Sequence, residues 1–520
     1  MMTAPLAISD TSSASQRTVL VRLWLGAALV AAVAAAVIWD RMPGVNWMMS
    51  LMTASAALLV AARAKGTVRH VAPPLLLALA LSIGILSAAS PFLHFFSIVT
   101  LLVLVAMAVA RSHPERYARA GVLQLATLPV SVFVTCLLEL TRRGSETVRT
   151  LANERAVPIV RGVVLTLPIA GLFALLLSSV DPTMTTWREQ LEALLSSWHF
   201  VPRMIFFTVI LGLSLGALGY AIAPTDTRTR LATERKPLLQ LGETERLMVM
   251  SAIAGVFTLF LTLQLSYLFG NAVRAQGSDI SYAEWARRGF AELTVVATLC
   301  GGVTLALALM APARARRRLI LAIELIVLGE TQVLLHSAFR RVLLYEDAYG
   351  FTTLRLYAQA YMLVVAASIV LLAYELVREP NARRLLGRAG ALGVMALALV
   401  STWNHESWIV RRNVARYEVS GKLDLLYLAC ELSPRAVPEV LDAANRVGDA
   451  RTPLVGQAIG LRFANDLDDP WYAWNAGRAR ARSAIGASTI VTVPAKDAED
   501  PCGRLAALQS EDRGAAEAAD

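Results

Sequence analysis

The sequence predicts an all-α, polytopic membrane protein with about 11–12 transmembrane helices and a small helical C-terminal tail domain. Three observations predict this class. Hydrophobic residues make up 56% of the chain and charged residues only 17%, whereas globular domains carry about 25% charged residues. Apolar runs long enough to cross about 30 Å of hydrocarbon recur through the first 400 residues. After residue 404 this pattern gives way to a more polar composition.

The apolar runs place the individual transmembrane helices. Eleven runs are long enough to span a bilayer, and they lie at 19–39, 45–62, 71–90, 92–110, 158–180, 201–223, 246–270, 289–310, 319–339, 354–374 and 387–403. A twelfth candidate, 120–138, is apolar but is interrupted by Pro129. A full crossing there would put two basic loops on opposite sides, so we favour a re-entrant or interfacial segment.

Basic loops then predict the orientation. Arg and Lys concentrate in the loops 63–69, 111–119, 139–157, 224–246, 311–318 and 378–388. With a re-entrant 120–138 segment, all of them face one side, which the positive-inside rule identifies as the cytoplasm. We therefore expect a cytoplasmic N-terminus and an extracytoplasmic C-terminal tail. The richness in Ala, Leu, Val and Arg favours a multi-pass protein of a bacterial plasma (inner) membrane.

These features divide the chain into five predicted segments. They are a disordered N-terminus at 1–18, N-terminal membrane helices at 19–157, a core membrane domain at 158–404, a soluble helical tail at 405–486 and a disordered acidic tail at 487–520. The last segment is polar and acidic, a composition that buries too little apolar surface to fold alone.

Charge and cysteine usage exclude several functional classes. The net charge of +10 comes from the membrane part, because the segment after residue 404 holds 14 basic and 17 acidic residues. The basic excess therefore indicates cytoplasmic loops rather than nucleic-acid binding. Cys136, Cys300, Cys430 and Cys502 are scattered without metal-ligand spacing, so we expect neither a metal site nor a cofactor. No nucleotide-binding or hydrolase motif occurs in the sequence, and it offers no specific catalytic residue.

Two charged blocks stand out, at 281–293 and 336–357. Both are expected on the outer side, where the positive-inside rule disfavours arginine. We therefore predict a ligand-binding cluster of arginine, tyrosine and acidic side chains, formed by Arg287, Arg288, Arg340, Arg341, Tyr345, Glu346, Asp347, Tyr349 and Arg355. Arg binds anions through a bidentate fork, which suits an anionic or lipid-linked ligand.

Structural pairing is the alternative for these blocks. Glu284 precedes Arg287 and Arg288 by three and four residues, a helical ion-pair spacing. Glu346 and Asp347 can likewise neutralise Arg340 and Arg341. Five outer arginines face only four nearby acids, so pairing and ligand binding are compatible.

Glu330 lies near the middle of the run 319–339. A mid-membrane carboxylate indicates a proton site or the partner of an arginine. A buried hydrogen bond to a neighbouring helix is the structural alternative.

Linked sequence blocks resemble a known family. The blocks are LLLSSVDP (175–182), LSYLFG (265–270), YAEWARRGFAEL (282–293), SAFRRVLLYEDAYGFTTLRL (337–356) and GKLDLLYLACELSPRAVP (421–438). They are similar to the bacterial membrane-protein family of domain of unknown function 4173, which is related to 4153. The resemblance implies no reaction, but it singles out Arg341, Tyr345 and Tyr349.

Three functions are compatible with the sequence. The favoured one is a membrane protein, in contact with the lipid bilayer, that binds or moves an anionic or lipid-linked ligand at the outer cluster, as a transporter, a flippase-like protein or an envelope-assembly factor. A membrane transferase acting on a lipid-linked substrate would need Glu346 or Asp347 as its base. A scaffold or sensor would work through the helical tail. The sequence sets no oligomeric state.

Overall fold

The computed structural model describes residues 9–119, 127–151, 166, 200–223, 242–269, 290–310, 318–378, 381–448, 451–463, 469–493 and 500–519. Within these ranges the secondary structure is helical and contains no strand. Ten of the described helices are long and apolar enough to span a membrane. The predicted all-α polytopic fold is therefore confirmed. Ten of the eleven predicted runs coincide with these helices, and the run 158–180 lies outside the described ranges.

The chain forms two compact units. The first contains Met1–Leu86, His94–Arg230 and Asp469–Asn475. Its helices are α1 (Ser9–Val37), α2 (Val45–Ala64), α3 (Val68–Ser87), α4 (Pro91–Arg111), α5 (Pro114–Arg119), α6 (Leu128–Leu151) and α7 (Phe200–Ile222). The residues Ser87 to Leu93, at the junction of α3 and α4, belong to the second unit.

Close helix packing defines the core of the first unit. Leu23, Leu58, Leu75 and Leu215 are at most 7% exposed and belong to one apolar cluster. On α7, a Cβ added at Gly216 would lie 2.1 Å from the Cys136 carbonyl oxygen of α6. Small residues let membrane helices approach closely, so this glycine fixes the α6–α7 contact.

Helix α6 overlaps the segment 120–138, whose re-entrant or interfacial path stays a prediction. It begins at Leu128 and continues to Leu151, well into the predicted basic loop. Pro129 does not interrupt it, because proline is tolerated in the first turn of a helix. The polar half is supported by ion pairs at helical spacing, such as Arg143 with Glu146 at 2.9 Å. This helix is not among the ten apolar enough to span.

The second unit contains Ser87–Leu93, Leu231–Asp468 and Ala476–Asp520. Its membrane helices are α8 (Glu243–Phe269), α9 (Phe290–Met310), α10 (Arg318–Tyr349), α11 (Thr353–Val377) and α12 (Ala382–Thr402). They share an apolar core that includes Leu328, Leu334 and Met362. Helix α10 has 32 residues, which is about 48 Å of helix. It therefore exceeds the hydrocarbon thickness by roughly 18 Å, and its polar C-terminal turns project beyond the hydrocarbon.

The tail of the second unit is a helical domain. It contains α13 (His405–Ser420), α14 (Leu425–Cys430), α15 (Val437–Val447), α16 (Thr452–Phe463), α17 (Ala476–Ala487) and α18 (Pro501–Ala519), with a 3₁₀ turn at Pro434–Ala436. Buried Leu428, Val440, Ile459 and Leu505 form its core. A disulfide joins Cys430 to Cys502 across 72 residues.

Two tail segments differ from the prediction. The expectation of disorder after 487 is wrong for Pro501–Ala519, because Leu505 packs into the core and the disulfide tethers the start of this helix. The segment Asp469–Asn475 belongs to the first unit, not to the tail domain. There the Asn475 amide donates to the Ile85 carbonyl at 2.8 Å, and the Val45 N–H donates to the Trp474 carbonyl at 3.1 Å.

Candidate functional site

The connector between α10 and α11 is a tight turn of residues 350 to 352 that holds the tail. Gly350 has φ +85°, a left-handed conformation that favours glycine. A Cβ there would also lie 2.5 Å from Asn413 Oδ1 of α13. The Asn413 side chain accepts a hydrogen bond from the Phe351 N–H and donates one to the Phe351 carbonyl, both at 2.9 Å. One tail side chain therefore pairs both backbone groups of the turn.

Arg355 is paired inside the predicted cluster. Its guanidinium carbon lies 4.2 Å from the centre of the Tyr345 ring, a cation–π distance. The same guanidinium donates to the Gly350 carbonyl. Tyr345 also packs against Tyr349, with the ring centroids 4.8 Å apart. Arg355 therefore closes the turn, and its role here is structural.

The two acids of the cluster behave differently. Glu346 is 2% exposed and accepts a hydrogen bond of 2.7 Å from the Gln359 amide of α11. The Asp347 side chain is exposed, while its backbone carbonyl accepts from the Arg416 guanidinium at 3.1 Å. Arg416 also donates to the Ala348 carbonyl, so a tail arginine caps the last turn of α10.

The two neighbouring arginines of α10 point in different directions. Arg341 is 6% exposed and interacts electrostatically with Glu292 in the first turn of α9. Arg340 is exposed. Glu292, which interacts electrostatically with Arg341, belongs to another helix. The alternative in which Glu346 and Asp347 neutralise Arg340 and Arg341 stays a prediction.

The fold thus brings together most of the predicted cluster. Tyr345, Glu346, Asp347, Tyr349 and Arg355 surround the connector end of α10. Arg341 lies two to three turns before that end, and Arg287 and Arg288 lie outside the described residues.

Glu330 lies near the middle of α10 and has one paired oxygen. Its Oε1 accepts a hydrogen bond from the Thr258 hydroxyl of α8. Its Oε2 is buried and has no hydrogen-bond partner within the described part of the chain. The expected bond to a neighbouring helix is therefore present for one oxygen only.

Other polar contacts lie between the same membrane helices. At the opposite end of α10 from the connector, Arg246 Nε donates to the buried Glu324 carboxylate at 3.0 Å. Nearer the connector, the Thr298 and Tyr361 hydroxyls are 3.1 Å apart. Gln332 donates to the Ala366 carbonyl at 2.8 Å. The bundle α8–α11 therefore contains polar groups at several depths.

A buried network at the junction of α11, α12 and the tail was not predicted. The His405 Nε2 and the Tyr357 hydroxyl are 2.9 Å apart. Burial lowers the pKa of His405 to about 4, so the ring is neutral at pH 7. Glu406 accepts a hydrogen bond from the Ser433 hydroxyl, and burial raises the pKa of this carboxyl.

Arg435 completes this network. It donates to the carbonyls of Ser401, Thr402 and Trp403 at 3.0, 2.6 and 3.0 Å, at the C-terminus of α12. Its charge also interacts with Glu406. The carbonyls at a helix C-terminus carry partial negative charge, which favours a guanidinium there. The sequence signal was a histidine and a glutamate directly after the last membrane helix, but their partners are remote in sequence.

Metal binding finds no support in the described ranges. No group of three His, Cys, Asp or Glu side chains there could hold a metal ion.

The comparisons with known proteins identify a family. A family model described as "Domain of unknown function (DUF4153)" matches residues 75–443, which is more than half of the chain. This is the second of the two related families that the sequence blocks resemble, and the first label, 4173, is not confirmed. No curated protein and no solved structure matches the chain. The chain belongs to the DUF4153 family of integral membrane proteins.

Proposed function

We propose that this protein is a transporter or flippase-like protein that binds an anionic or lipid-linked ligand near the outer end of α9–α11. The observation that carries the proposal is Glu330. Its Oε2 is buried at mid-length of α10 and has no hydrogen-bond partner among the described residues. An unsatisfied carboxylate in a membrane bundle is costly, so such residues mark proton or ligand sites.

Glu330 lies on the same face of α10 as Arg341. Eleven residues separate the two, which is three helical turns and about 16 Å. Arg341 is 6% exposed and its neighbouring charge is Glu292. A phosphate or carboxylate would compete with Glu292 for the Arg341 guanidinium, and a proton on Glu330 would reduce the negative charge on the same face.

The contacts of the neighbouring side chains indicate which of them can bind a ligand and which stabilise the turn. Tyr345 and Tyr349 present rings beside this face, whereas Arg355 is already engaged by Tyr345 and by the Gly350 carbonyl. We therefore assign ligand binding to Arg341 and the two tyrosines, and turn closure to Arg355.

The proposed orientation has the connector and the tail outside the cytoplasm. The disulfide Cys430–Cys502 supports this side, because disulfides persist in oxidising compartments. The basic loops support a cytoplasmic N-terminus at the other face. A bacterial plasma membrane fits this arrangement.

Transport in reconstituted liposomes tests the proposal. The probes are a short-chain polyprenyl phosphate and, separately, inorganic phosphate, each measured with and without a pH gradient. We expect Glu330→Gln to abolish gradient-driven movement while binding persists. Arg341→Gln should weaken binding about tenfold, since it removes one charge-assisted contact.

Arg411→Gln on the tail is the matched control, with the same loss of charge. It should behave as the unmodified protein. Undiminished transport by Glu330→Gln, or binding of neither probe to the unmodified protein, would contradict the proposal.

A scaffold or sensor is a second candidate because of the tail docking. Asn413 pairs both backbone groups of Phe351, and the Tyr427 hydroxyl accepts from the Thr353 N–H at 2.8 Å. These hydrogen bonds would transmit a movement of α10 or α11 to the tail domain. This function should survive Glu330→Gln and fail with Asn413→Ala, as measured by cross-linking of partners to the tail.

The transferase alternative has less support. Its candidate base Glu346 is 2% exposed and bound to Gln359. Asp347, the exposed candidate, offers the direct test: an Asp347→Asn variant that is folded but inactive on a lipid-linked substrate would favour catalysis.

A further inference from the structure

A second cluster of arginines lies at the end of α11 opposite the connector. Glu375, in the last turn of α11, is 1% exposed. Arg384 Nε donates to both of its carboxylate oxygens at 2.8 Å, and Arg388 donates to Oε1 at 2.7 Å. Both arginines belong to the first two turns of α12. One buried carboxylate therefore holds two guanidinium groups in place.

Further positive charge surrounds this pair. The Arg378 guanidinium lies 4.9 Å from the centre of the Tyr374 ring, and that of Arg388 lies 5.8 Å from it. Arg378 also interacts electrostatically with Glu375. From Tyr374 to Arg388 the sequence holds four arginines and two acids, Glu375 and Glu379, so the local net charge is positive.

The exposure of these side chains shows that they reach the surface. The Arg384 and Arg388 side chains are 40% and 45% exposed, whereas that of Glu375 is 2% exposed. The carboxylate therefore lies beneath the guanidinium groups. A positive-inside anchor needs only charge, and it does not need a buried acid that fixes the geometry of two arginines.

We propose that this cluster, formed by Tyr374, Glu375, Arg378, Arg384 and Arg388, binds the phosphate of an anionic phospholipid. Guanidinium groups match phosphate oxygens through bidentate hydrogen bonds. Basic pockets between membrane helices at the bilayer surface bind such head groups. The Tyr374 ring lies at the helix end, where aromatic residues occupy the head-group level. Acyl chains would lie along the apolar surfaces of α11 and α12.

This site is separate from the proposed ligand site. The arginine cluster lies at the end of α11 away from the connector, whereas Tyr345 and Tyr349 lie at the connector end; α11 has 25 residues and is about 37 Å long. Lipid binding at the arginine cluster therefore does not depend on transport at Glu330.

Lipid titration with native mass spectrometry tests the proposal. The full chain in neutral detergent is titrated with short-chain phosphatidylglycerol, phosphatidylcholine or inorganic phosphate. We expect selective retention of phosphatidylglycerol by the unmodified protein. Arg378→Gln and Arg388→Gln should each weaken this binding about fivefold, since each removes one head-group contact near the membrane surface.

The variants are chosen so that folding does not obscure the result. In Arg388→Gln, Glu375 keeps its bonds to Arg384. Arg378→Gln leaves the bonds of Glu375 to both Arg384 and Arg388 in place. Arg446→Gln on the tail is the charge-matched control and should retain the lipid. Unchanged affinity in both cluster variants would overturn the proposal. Equal binding of phosphatidylcholine, or displacement of the lipid by equimolar inorganic phosphate, would overturn it as well.

Discussion

The two ends of the α10–α12 membrane hairpins use arginine in different ways. At the connector end, Arg355, Arg416 and Arg435 donate mainly to backbone carbonyls of turns and helix C-termini. At the other end, Arg246 pairs with Glu324, and Arg384 and Arg388 pair with Glu375. The arginines at the connector end therefore do not require an equal number of acids, because α10 and α12 both present their negative helix ends there.

This difference changes how the excess of arginines over acids in the two charged blocks is interpreted. Counting acids against arginines predicts an anionic ligand for every outer guanidinium left over. The fold assigns Arg355 to a carbonyl and a tyrosine ring instead. Under the proposed function, Arg341, which interacts with Glu292, is the arginine of α10 that binds the ligand.

The largest expected effect concerns the disulfide of the tail. Cys430→Ser should lower the free energy of unfolding of the tail by about 4 kcal/mol, because the bond closes a loop of 72 residues. Limited proteolysis of the tail measures the loss. Cys300→Ser is the control, since that thiol is free and buried in α9. If thiol labelling finds Cys430 reduced in the membrane, the assignment of this end to an oxidising compartment fails.

Removal of Arg435 should have the next largest effect. Arg435→Gln leaves the buried Ser401 carbonyl and two partly buried carbonyls at the end of α12 without their charged donor, so we expect a loss of about 3 kcal/mol. Melting in detergent measures the change. Arg412→Gln, at a guanidinium that lies over the Trp408 ring, should change stability far less. If the two variants lost equal stability, the hydrogen bonds of arginine to helix C-terminal carbonyls would not be what stabilises the connector end.

The pH dependence of the tail junction should be of similar size. His405 has a folded pKa of about 4 against 6.5 when unfolded, so the unfolded state binds more protons between these values. Stability should therefore fall by about 3 kcal/mol as the pH decreases from 6.5 to 4. Burial raises the pKa of Glu406 in the folded state above its ordinary value of 4.5, so its contribution has the opposite sign. As the pH rises above 4.5, the unfolded state loses this proton first, and the folded state becomes less stable.

Two variants separate these contributions. His405→Gln should remove the loss of stability in acid, whereas Glu406→Gln should make that loss steeper. Thermal melting between pH 4 and 7 measures both. Identical profiles for the two variants would show that neither group controls the junction.

The smallest expected effect is at the arginine cluster of α11 and α12. Glu375→Gln keeps a hydrogen-bond acceptor but removes its charge, and the two arginines are nearly half exposed. We expect a loss of about 1 kcal/mol, because exposed partners are screened by solvent and salt. The loss should shrink at high salt, unlike that of Arg435→Gln. The comparison between the two ends would weaken if both variants responded to salt alike.

Most of the helices could be predicted from local sequence patterns. In the described part of the chain, the ten helices able to span a membrane coincide with apolar runs, because the length of an apolar run depends only on consecutive residues. The start of the tail domain at His405 coincides with the change in composition. The apolar segment 120–138 does not indicate the extent of helix α6, because Pro129 lies in the first turn of that helix, where proline is tolerated, and the helix continues into polar residues.

The sequence by itself determined the class of protein, the ten membrane helices of the described ranges and the charged block at the connector end of α10. The tertiary structure decided what those charges do. The pairs Arg355 with Tyr345, Arg435 with the end of α12, and Cys430 with Cys502 join residues from 10 to 72 positions apart. Such contacts depend on how helices pack, which no local pattern records. For the same reason the order of helix α18 could not be read from its polar composition, since Leu505 is buried only by the folded tail.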